Sequence, residues 1–62
     1  MQRTIEFDFG STIRAIRKRH GFSQRSLAIE LGVSRMTVNR WERGMVFPNN
    51  ENFAKLAKLS KS

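Results

Sequence analysis

The chain has 62 residues, 12 of them Lys or Arg against five Asp or Glu, which gives a formal net charge of +7. This length allows one small domain, and the absence of Cys excludes disulfides and thiolate metal sites. With one His and no long apolar run, we expect no His-based metal cluster, membrane span or signal peptide. The charge favours a polyanion such as nucleic acid, although a solvated basic surface or a ribosome-associated fragment has the same charge.

The N-terminal segment, residues 1–8, alternates between apolar and polar residues. Ile5, Phe7 and Phe9 are apolar, and each is separated from the next by an acidic residue. Strict alternation predicts a short strand or an extended arm. A single strand has no partner of its own, so we expect the segment to pair with another chain or to fold back on the helices.

The period changes at Phe9, where a first helix is predicted. Side chains recur at spacings of four, three and four residues, as on one stripe of a helix. This stripe consists of Phe9, Ile13, Ile16 and His20. Asp8 is a candidate N-cap, and Gly21 is a candidate stop signal. His20 is interpreted as the residue that ends the helix rather than as a ligand or a catalytic group.

Two further helices are predicted in the middle of the chain, each with a Ser N-cap and a Gly at its end. Ser23 precedes the second helix, which ends before Gly32. Ser34 precedes the third helix, which ends before Gly44. Their inner faces are predicted to consist of Leu27, Ala28, Leu31, Val38 and Trp41.

The spacing of these inner residues indicates a helix-turn-helix. Ala28 lies four residues before Gly32, and Val38 and Trp41 follow Gly32 by six and nine residues. Two helices that cross steeply need a small side chain where they meet and a positive φ in the turn. A plain helical hairpin is the alternative, since the same spacings can arise by chance.

A fourth helix is predicted after a loop that contains Pro48. Asn49 is its candidate N-cap. Its inner face is predicted to consist of Phe53, Leu56 and Ala57. Lys55 and Lys58 are predicted to face water. The sequence thus predicts an all-α domain of four helices over residues 9–60, after the N-terminal arm.

Four stretches of the chain resemble a known family when they are taken together. They are IRxIRKRxG (13–21), FSQRSLAxxLGVS (22–34), TVNRWERG (37–44) and FAKLAK after Pro48. This set is similar to the Cro and repressor type of helix-turn-helix domain in lambdoid phages and bacteria, the XRE family. The resemblance implies a compact, lambda-repressor-like fold that binds DNA through its third helix.

Members of this family usually have a fifth helix, and this chain stops where that helix is expected to begin. The resemblance therefore implies a four-helix, truncated version of a five-helix fold. Our hypothesis is that Ile5, Phe7 and Phe9 supply the missing apolar surface, either within one chain or across a dimer.

The outward face of the third helix, residues 35–43, has side chains that match base edges. In the major groove Arg fits guanine, Asn fits adenine, and Met can pack against a thymine methyl group. The candidate base contacts are Arg35, Met36, Thr37, Asn39 and Arg40. The resemblance favours Arg35, Met36 and Arg40 among them. A solvated basic helix without sequence preference is the alternative, because Arg also binds phosphate.

Phosphate contacts are expected on both sides of this helix. The N-terminus of the second helix favours anions, and the resemblance implies that the Gln found there contacts the DNA backbone. The candidates are Gln24, Arg25, Ser34, Arg43 and Arg17. The resemblance also implies a partly buried ion pair between Arg17 and Glu42 that joins the first and third helices, so a structural role is expected first for Arg17.

These residues favour a sequence-specific regulator of repressor or Cro type that binds double-stranded DNA. It is expected to act as a homodimer on an inverted repeat, nucleoid-associated in a bacterial or phage-infected cytoplasm. Ile29, the loop Met45–Phe47 and the N-terminal arm are the candidate dimer contacts. The alternatives are an antitoxin or phage protein that binds another protein, and a non-specific nucleic-acid binder.

An enzyme is not expected from this sequence. There is no visible nucleophile–base pair, no metal-ligand spacing and no glycine-rich phosphate loop. No cofactor, small-molecule substrate or membrane partner is predicted.

Overall fold

Four α-helices form in the part of the chain that the structure, a computed structural model, describes, which is residues 8–61. They are α1 (Phe9–Arg19), α2 (Gln24–Leu31), α3 (Arg35–Glu42) and α4 (Asn50–Lys61), with no strand in this range. The all-α fold class and the four predicted helices are confirmed. The predicted arm lies outside the described residues, except for Asp8. None of these helices is long and apolar enough to span a bilayer.

Each helix begins after a residue whose side chain accepts a hydrogen bond from a backbone N–H of the first turn. The nitrogen–oxygen distances lie between 2.9 and 3.1 Å. The accepting and donating residues are Asp8 and Ser11, Ser23 and Ser26, Ser34 and Thr37, and Asn49 and Asn52. In α2 the bond is reciprocal, because the backbone N–H of Ser23 donates to the hydroxyl of Ser26 at 2.8 Å. The four predicted N-caps are confirmed.

Gly32 makes the sharp turn between α2 and α3. Its φ of +76° lies in the left-handed region, which glycine adopts without the steric cost of a Cβ. The backbone N–H of Val33 then donates to the carbonyl of Ala28 at 2.9 Å, which closes the C-terminal end of α2. Because α3 begins at Arg35, the two helices meet across a short turn, as the sequence predicts.

The core lies where α2 packs against α3, and α1 and α4 complete it. Leu27 and Val38 have no exposed surface, and Trp41 is 2% exposed. Ala28, also 2% exposed, has the small side chain that lets the two helices approach closely. The other buried apolar residues are Ile13, Leu31 and Leu56. The predicted inner faces of α2 and α3 are confirmed.

The prediction for the inner face of α4 is wrong for Phe53, whose side chain is 50% exposed. Leu56 holds α4 on the core with 3% exposed, and Ala57 is half-buried, as predicted. Phe53 lies about one turn closer to the N-terminus of α4, where this helix extends beyond the buried core. There its ring stacks on Phe47 with the centroids 5.7 Å apart.

The Lys55 side chain is 42% exposed, in line with the prediction that it faces water, but its ammonium group also contacts α2. Its Nζ donates to the carbonyl of Leu31 at 3.1 Å and lies 3.6 Å from the Glu51 carboxylate. Leu31 is the last residue of α2, so its carbonyl has no partner within the helix, and a cation suits this end of the helix dipole. The long aliphatic stem of Lys lets its ammonium group reach this carbonyl, a contact that a helical period alone does not indicate.

His20 ends α1, as predicted, and it also connects α1 with α4. Its backbone N–H donates to the carbonyl of Ile16 at 3.3 Å. Its ring Nε2 lies 2.7 Å from the carbonyl oxygen of Leu59, and the ring stacks on Phe22. The C-terminal halves of the two helices are therefore joined by a polar contact as well as by the core.

Candidate nucleic-acid interface

Helix α3 is anchored by one face and presents the other to solvent. Val38, Trp41 and Glu42 hold it with 5% or less of their surface exposed. The exposed side chains of the helix and its C-cap are Arg35, Met36, Arg40 and Arg43. Arg43, predicted as the last residue of this helix, is its C-cap. A helix of this length extends about 12 Å, so these side chains form one compact surface of two turns.

The N-terminal end of α3 has a pair of hydroxyl groups. The Ser34 hydroxyl oxygen lies 2.9 Å from that of Thr37 and accepts the backbone N–H of Thr37 at 3.1 Å. A hydroxyl can donate one hydrogen bond and accept two, so the pair retains capacity for a further partner. Ser34 is exposed and Thr37 is half-buried, which makes Ser34 the more accessible of the two.

Arg17 and Glu42 form an ion pair between α1 and α3. The Nε and Nη2 atoms of Arg17 donate to the two carboxylate oxygens of Glu42 at 2.5 and 3.0 Å. This is the bidentate geometry that fits a guanidinium to a carboxylate. The side chains of Arg17 and Glu42 are 13% and 2% exposed, so water is largely excluded from the pair. Arg17 also donates from Nη1 to the carbonyl of Phe22 at 3.1 Å, which holds the turn before α2.

Glu42, the one acidic residue of α3, is turned inward, so its negative charge does not lie on the outer face of the helix. Burial alone raises the pKa of this carboxyl, but the hydrogen bonds from Arg17 and Gln24 and the charges of Arg17 and Arg14 outweigh burial, so the pKa lies below its ordinary value. The hydrogen bond to Glu42 also raises the pKa of Arg17. Both groups are therefore charged at neutral pH and neutralise each other inside the molecule, so the exposed side chains leave the outer face positive.

Arg14 is a second cation at Glu42, a contact that was not predicted from the sequence. Its Nη2 donates to the backbone carbonyl of Glu42 at 3.2 Å, and its Nε lies 3.6 Å from the Glu42 carboxylate. This carbonyl is at the C-terminal end of α3, where the helix dipole favours a cation. Arg14 precedes Arg17 by three residues and so lies on the same side of α1, a spacing that could have identified it.

Gln24 links the buried ion pair to the outer face of α3. Its Nε2 donates to the carboxylate of Glu42 at 3.2 Å, and its Oε1 accepts from the Nδ2 of Asn39 at 3.4 Å. Gln24 is the first residue of α2, and both Gln24 and Asn39 are half-buried. An amide has two donor hydrogens and an acceptor oxygen, so each side chain keeps capacity for another partner.

Gly10 lets α1 approach the C-terminal end of α3. A Cβ at this position would collide with the carbonyl oxygen of Glu42 and lie 3.2 Å from that of Trp41. A larger residue would therefore separate the two helices and displace Arg14 and Arg17 from Glu42. This role of Gly10 was not predicted from the sequence, although a Gly inside a helical pattern is a signal of close packing.

A protein-family model described as "Helix-turn-helix" matches residues 13–59, which is most of the chain. The chain belongs to the helix-turn-helix family. The resemblance to the XRE type of repressor domain that the sequence suggested is thereby confirmed.

Two similar proteins agree with this assignment. The chain is 39% identical over 56 residues to the HTH-type transcriptional regulator DicA of Escherichia coli (strain K12). The match covers 90% of this chain and 42% of DicA, so the chain spans less than half the length of this relative. The chain is also similar to the solution structure of the DNA-binding domain of the P22 C2 repressor, with a TM-score of 0.76 and 34% identity. That match covers 98% of this chain and 76% of the repressor domain.

In this helix-turn-helix protein the predicted base contacts differ in accessibility. Arg35, Met36 and Arg40 are exposed, whereas Thr37 and Asn39 are half-buried. Thr37 is hydrogen-bonded to its N-cap, and Asn39 is hydrogen-bonded to α2. Contact with DNA stays a prediction for all five residues.

The predicted phosphate contacts of the helix-turn-helix also fall into two groups. Arg25, Ser34 and Arg43 are exposed at the ends of α2 and α3. Gln24 and Arg17 are half-buried and hydrogen-bonded to Glu42, so they have a structural role in addition to any contact with phosphate.

Proposed function

We propose that this helix-turn-helix chain binds double-stranded DNA sequence-specifically and acts as a transcriptional regulator of repressor or Cro type. The observation that carries the proposal is the outer face of α3. That face presents Arg35, Met36 and Arg40 on a helix anchored by buried residues, and its one acid is turned inward and neutralised. The major groove admits one α-helix of this kind.

The side chains of α3 have the chemistry for direct readout of base edges. The guanidinium groups of Arg35 and Arg40 fit the O6 and N7 acceptors of guanine, and Met36, 47% exposed, offers an apolar contact to a thymine methyl group. Asn39 fits the N6 and N7 edge of adenine with the capacity that its bond to α2 leaves free. Thr37 contributes through its hydroxyl group.

Phosphate contacts would position α3 in the groove. Gln24 and Arg25 lie in the first turn of α2, where backbone N–H groups and the helix dipole favour an anion. Ser34 and Arg43 lie at the two ends of α3 and contact the phosphates on either side of it. Such contacts fix the orientation of the protein on the duplex and supply most of the salt dependence.

Binding as a homodimer to an inverted repeat is part of the proposal. Dimeric helix-turn-helix proteins place their recognition helices about 34–36 Å apart, one turn of DNA. The candidate contacts between two copies are Ile29, which is 70% exposed, and the loop Met45–Phe47, whose side chains are 48–61% exposed. The N-terminal arm, which lies outside the described residues except for Asp8, is the third candidate.

The comparisons support a regulatory role rather than an enzymatic one. DicA is named as a transcriptional regulator, and the P22 fragment is the DNA-binding domain of a repressor. The net charge of +7 on 62 residues supports binding to a polyanion. Since DicA is more than twice as long as the matched region, its role as a whole protein comes to this chain as a proposal.

Selection from a random double-stranded DNA pool, followed by sequencing and gel-shift titration, tests the proposal. Enrichment of a palindromic motif is the expected result. Uniform binding to all sequences would favour a non-specific nucleic-acid binder. No binding near physiological salt would favour a protein-binding module such as an antitoxin.

Single substitutions separate readout from phosphate binding. Arg35→Ala or Arg40→Ala should weaken binding to the selected site by about 1–3 kcal/mol and relax the preference at one base pair. Arg43→Ala should weaken binding to all sequences and reduce the salt slope by about one counterion. Lys61→Ala, which removes an exposed cation from the end of α4, is the matched control and should have little effect.

A further inference from the structure

Arg14 completes the C-terminal end of α3 from a neighbouring helix. The last four carbonyls of an α-helix have no partner within the helix itself. In α3 three of them, those of Asn39, Arg40 and Trp41, accept backbone N–H groups of the following turn at 2.9 to 3.0 Å. The fourth, that of Glu42, accepts from the Nη2 atom of Arg14 at 3.2 Å. The Arg14 guanidinium is therefore held at the C-terminal end of the proposed recognition helix.

Most of the hydrogen-bonding capacity of Arg14 is left over among the residues that the structure describes. Its side chain is 45% exposed. A guanidinium has five N–H donors, and the bond to the Glu42 carbonyl uses one of them. The Nε atom lies 3.6 Å from the Glu42 carboxylate, which is too far for a hydrogen bond. The group can therefore donate to a further acceptor while it stays bound to the carbonyl.

The network around Glu42 leaves a positive charge at this end of α3. It contains the two cations Arg14 and Arg17 and the one carboxylate of Glu42, and two positive charges against one negative charge leave an excess of one. Arg17 makes the bidentate contact with the carboxylate. The charge of Arg14 also acts on Asp8, but this carboxylate is exposed to water and accepts from Ser11 at the N-cap of α1.

A phosphate can approach the C-terminal end of α3 only where a cation compensates the helix dipole. This end of a helix has a partial negative charge of about half an elementary charge, which repels an anion. Arg43 is the exposed C-cap of α3 and a candidate phosphate contact. The carbonyl that holds Arg14 belongs to the peptide between Glu42 and Arg43. Two guanidinium groups, each suited to binding phosphate, are thus attached to the same end of the helix.

We propose that Arg14 binds a DNA phosphate next to the one proposed for Arg43, so that α1 takes part in the DNA interface. This inference rests on the proposed function, because it names a further contact of the same surface. The bond to the Glu42 carbonyl positions the guanidinium before DNA is bound, which reduces the side-chain entropy lost on binding. Because a phosphate contact carries no base information, Arg14 adds affinity for all sequences alike.

The salt dependence of DNA binding tests this contact with two variants that differ in charge. Arg14→Gln keeps a donor for the Glu42 carbonyl but removes the charge, whereas Arg14→Lys keeps the charge. Arg14→Gln should lower the slope of log K against log salt concentration by about 0.9. Between about 50 and about 200 mM salt, its affinity should therefore fall about 3.5-fold less than that of the unmodified protein. Arg14→Lys should keep most of the slope, and the base preference should be unchanged in both variants.

Lys61→Gln is the matched control, because it lowers the net charge by the same amount at the exposed end of α4 and should hardly change the slope. Thermal melting checks that each variant is folded at the temperature of the titration. If the unmodified protein binds DNA but Arg14→Gln loses no more slope than Lys61→Gln, this inference is wrong and the proposed function stands. An equal loss of slope in Arg14→Lys and Arg14→Gln would also contradict it, because the charge would then not be the cause. If the unmodified protein binds no DNA, both are wrong.

Uncharged phosphate analogues in the DNA identify the contact from the other side. Each phosphate of the selected site is replaced in turn by a methylphosphonate, and the loss of affinity is compared between the unmodified protein and Arg14→Gln. We expect a phosphate whose replacement weakens the unmodified protein but not the variant, because both changes remove the same contact. It should be adjacent to the phosphate at which Arg43→Gln is insensitive in the same way. If every replacement weakens both proteins by the same factor, Arg14 contacts no phosphate and the inference is overturned.

Discussion

The side of the molecule formed by α2 and α3 has a network of directional polar contacts around Glu42, whereas the α1–α4 side is mainly apolar, with one polar contact between His20 and Leu59. On the first side Glu42 accepts from Arg17 and Gln24, and Gln24 accepts from Asn39. In residues 8–61 every buried side-chain nitrogen and oxygen has a hydrogen-bond partner. On the second side Phe47 and Phe53 remain about half exposed.

The difference shows which side determines the geometry of the proposed interface. Hydrogen bonds and a close backbone contact depend on distance and angle, so they define where α3 lies relative to α1 and α2. Apolar packing is less directional and depends mainly on the area removed from water. Substitutions on the polar side should therefore have large effects that depend on the atoms removed.

Glu42→Gln should have the largest effect on stability. It removes the charge that balances Arg17 in a site where the two side chains are 13% and 2% exposed. Breaking a buried pair by removing one partner costs about 3–5 kcal/mol. Urea denaturation measures the change in the free energy of unfolding. The matched control is Glu51→Gln, whose exposed pair with Lys55 is worth about 0.3–0.5 kcal/mol. Equal effects of the two substitutions would show that the buried network has no special role.

Gly10→Ala should have the next largest effect on the free energy of unfolding. It should destabilise the protein, although helix propensity alone predicts that Ala stabilises a helix relative to Gly. In an ordinary helix position Ala is more stabilising than Gly by roughly 0.5–1 kcal/mol. Here the added Cβ meets the backbone of Glu42, and overpacking of this kind costs about 1–3 kcal/mol. The same denaturation measurement detects it. Ala15→Gly, at an exposed position of α1, is the control and should cost only its propensity difference. A stabilised Gly10→Ala variant would mean that α1 and α3 are farther apart.

The helices of this chain were predictable because their signals are local. Asp8, Ser23 and Ser34 each lie just before an apolar helical period, and their side chains bond the first turn of their own helix. Gly32 likewise determines the turn through its own backbone. Signals of this kind act over three or four residues and do not depend on how the helices pack.

The contacts of the site were less predictable because they join residues far apart in the chain. Gln24 reaches Glu42, and Lys55 reaches Leu31, through long side chains whose direction depends on the relative placement of two helices. The Arg17–Glu42 pair was expected only through the family resemblance. Phe53 fits a helical stripe, yet the helix it belongs to extends beyond the core. Helical periodicity predicts on which face of a helix a residue lies, but not how much of its side chain the neighbouring elements bury.

Acid should destabilise the protein through the same network. The pKa of Glu42 is lower in the folded chain than its ordinary value of 4.5, so the folded state favours the ionised form. This contribution is fully present above the unfolded pKa and is lost as pH falls through the folded pKa. Urea denaturation between about pH 7 and about pH 3 should show it. In the Glu42→Gln variant the free energy of unfolding should fall less steeply as the pH is lowered. An equally steep fall in both proteins would assign the acid sensitivity to other carboxyls. Asp8 is one of these, because the hydrogen bond from the Ser11 side chain lowers its pKa.

Gln24→Ala should have the smallest effect of the series. It removes two hydrogen bonds from a half-buried position, and the net value of one such bond is about 0.5–1.5 kcal/mol. The bond to Asn39, at 3.4 Å, is long, so we expect a total near 1 kcal/mol.

The comparison of two double variants shows whether the polar network reaches the outer face of α3. Gln24→Ala combined with Asn39→Ala should cost less than the sum of the single substitutions, because both remove the same bond. Arg25→Ala, at the neighbouring exposed position, should add to Asn39→Ala without coupling and change stability by less than about 0.5 kcal/mol. If Asn39 is coupled to Gln24 but not to Arg25, the buried ion pair helps, through Gln24, to orient the Asn39 side chain that is proposed to contact DNA bases. If both double variants instead lost the sum of their single effects, the polar network would not extend to the outer face of α3. The position of α3 would then depend only on its buried apolar residues.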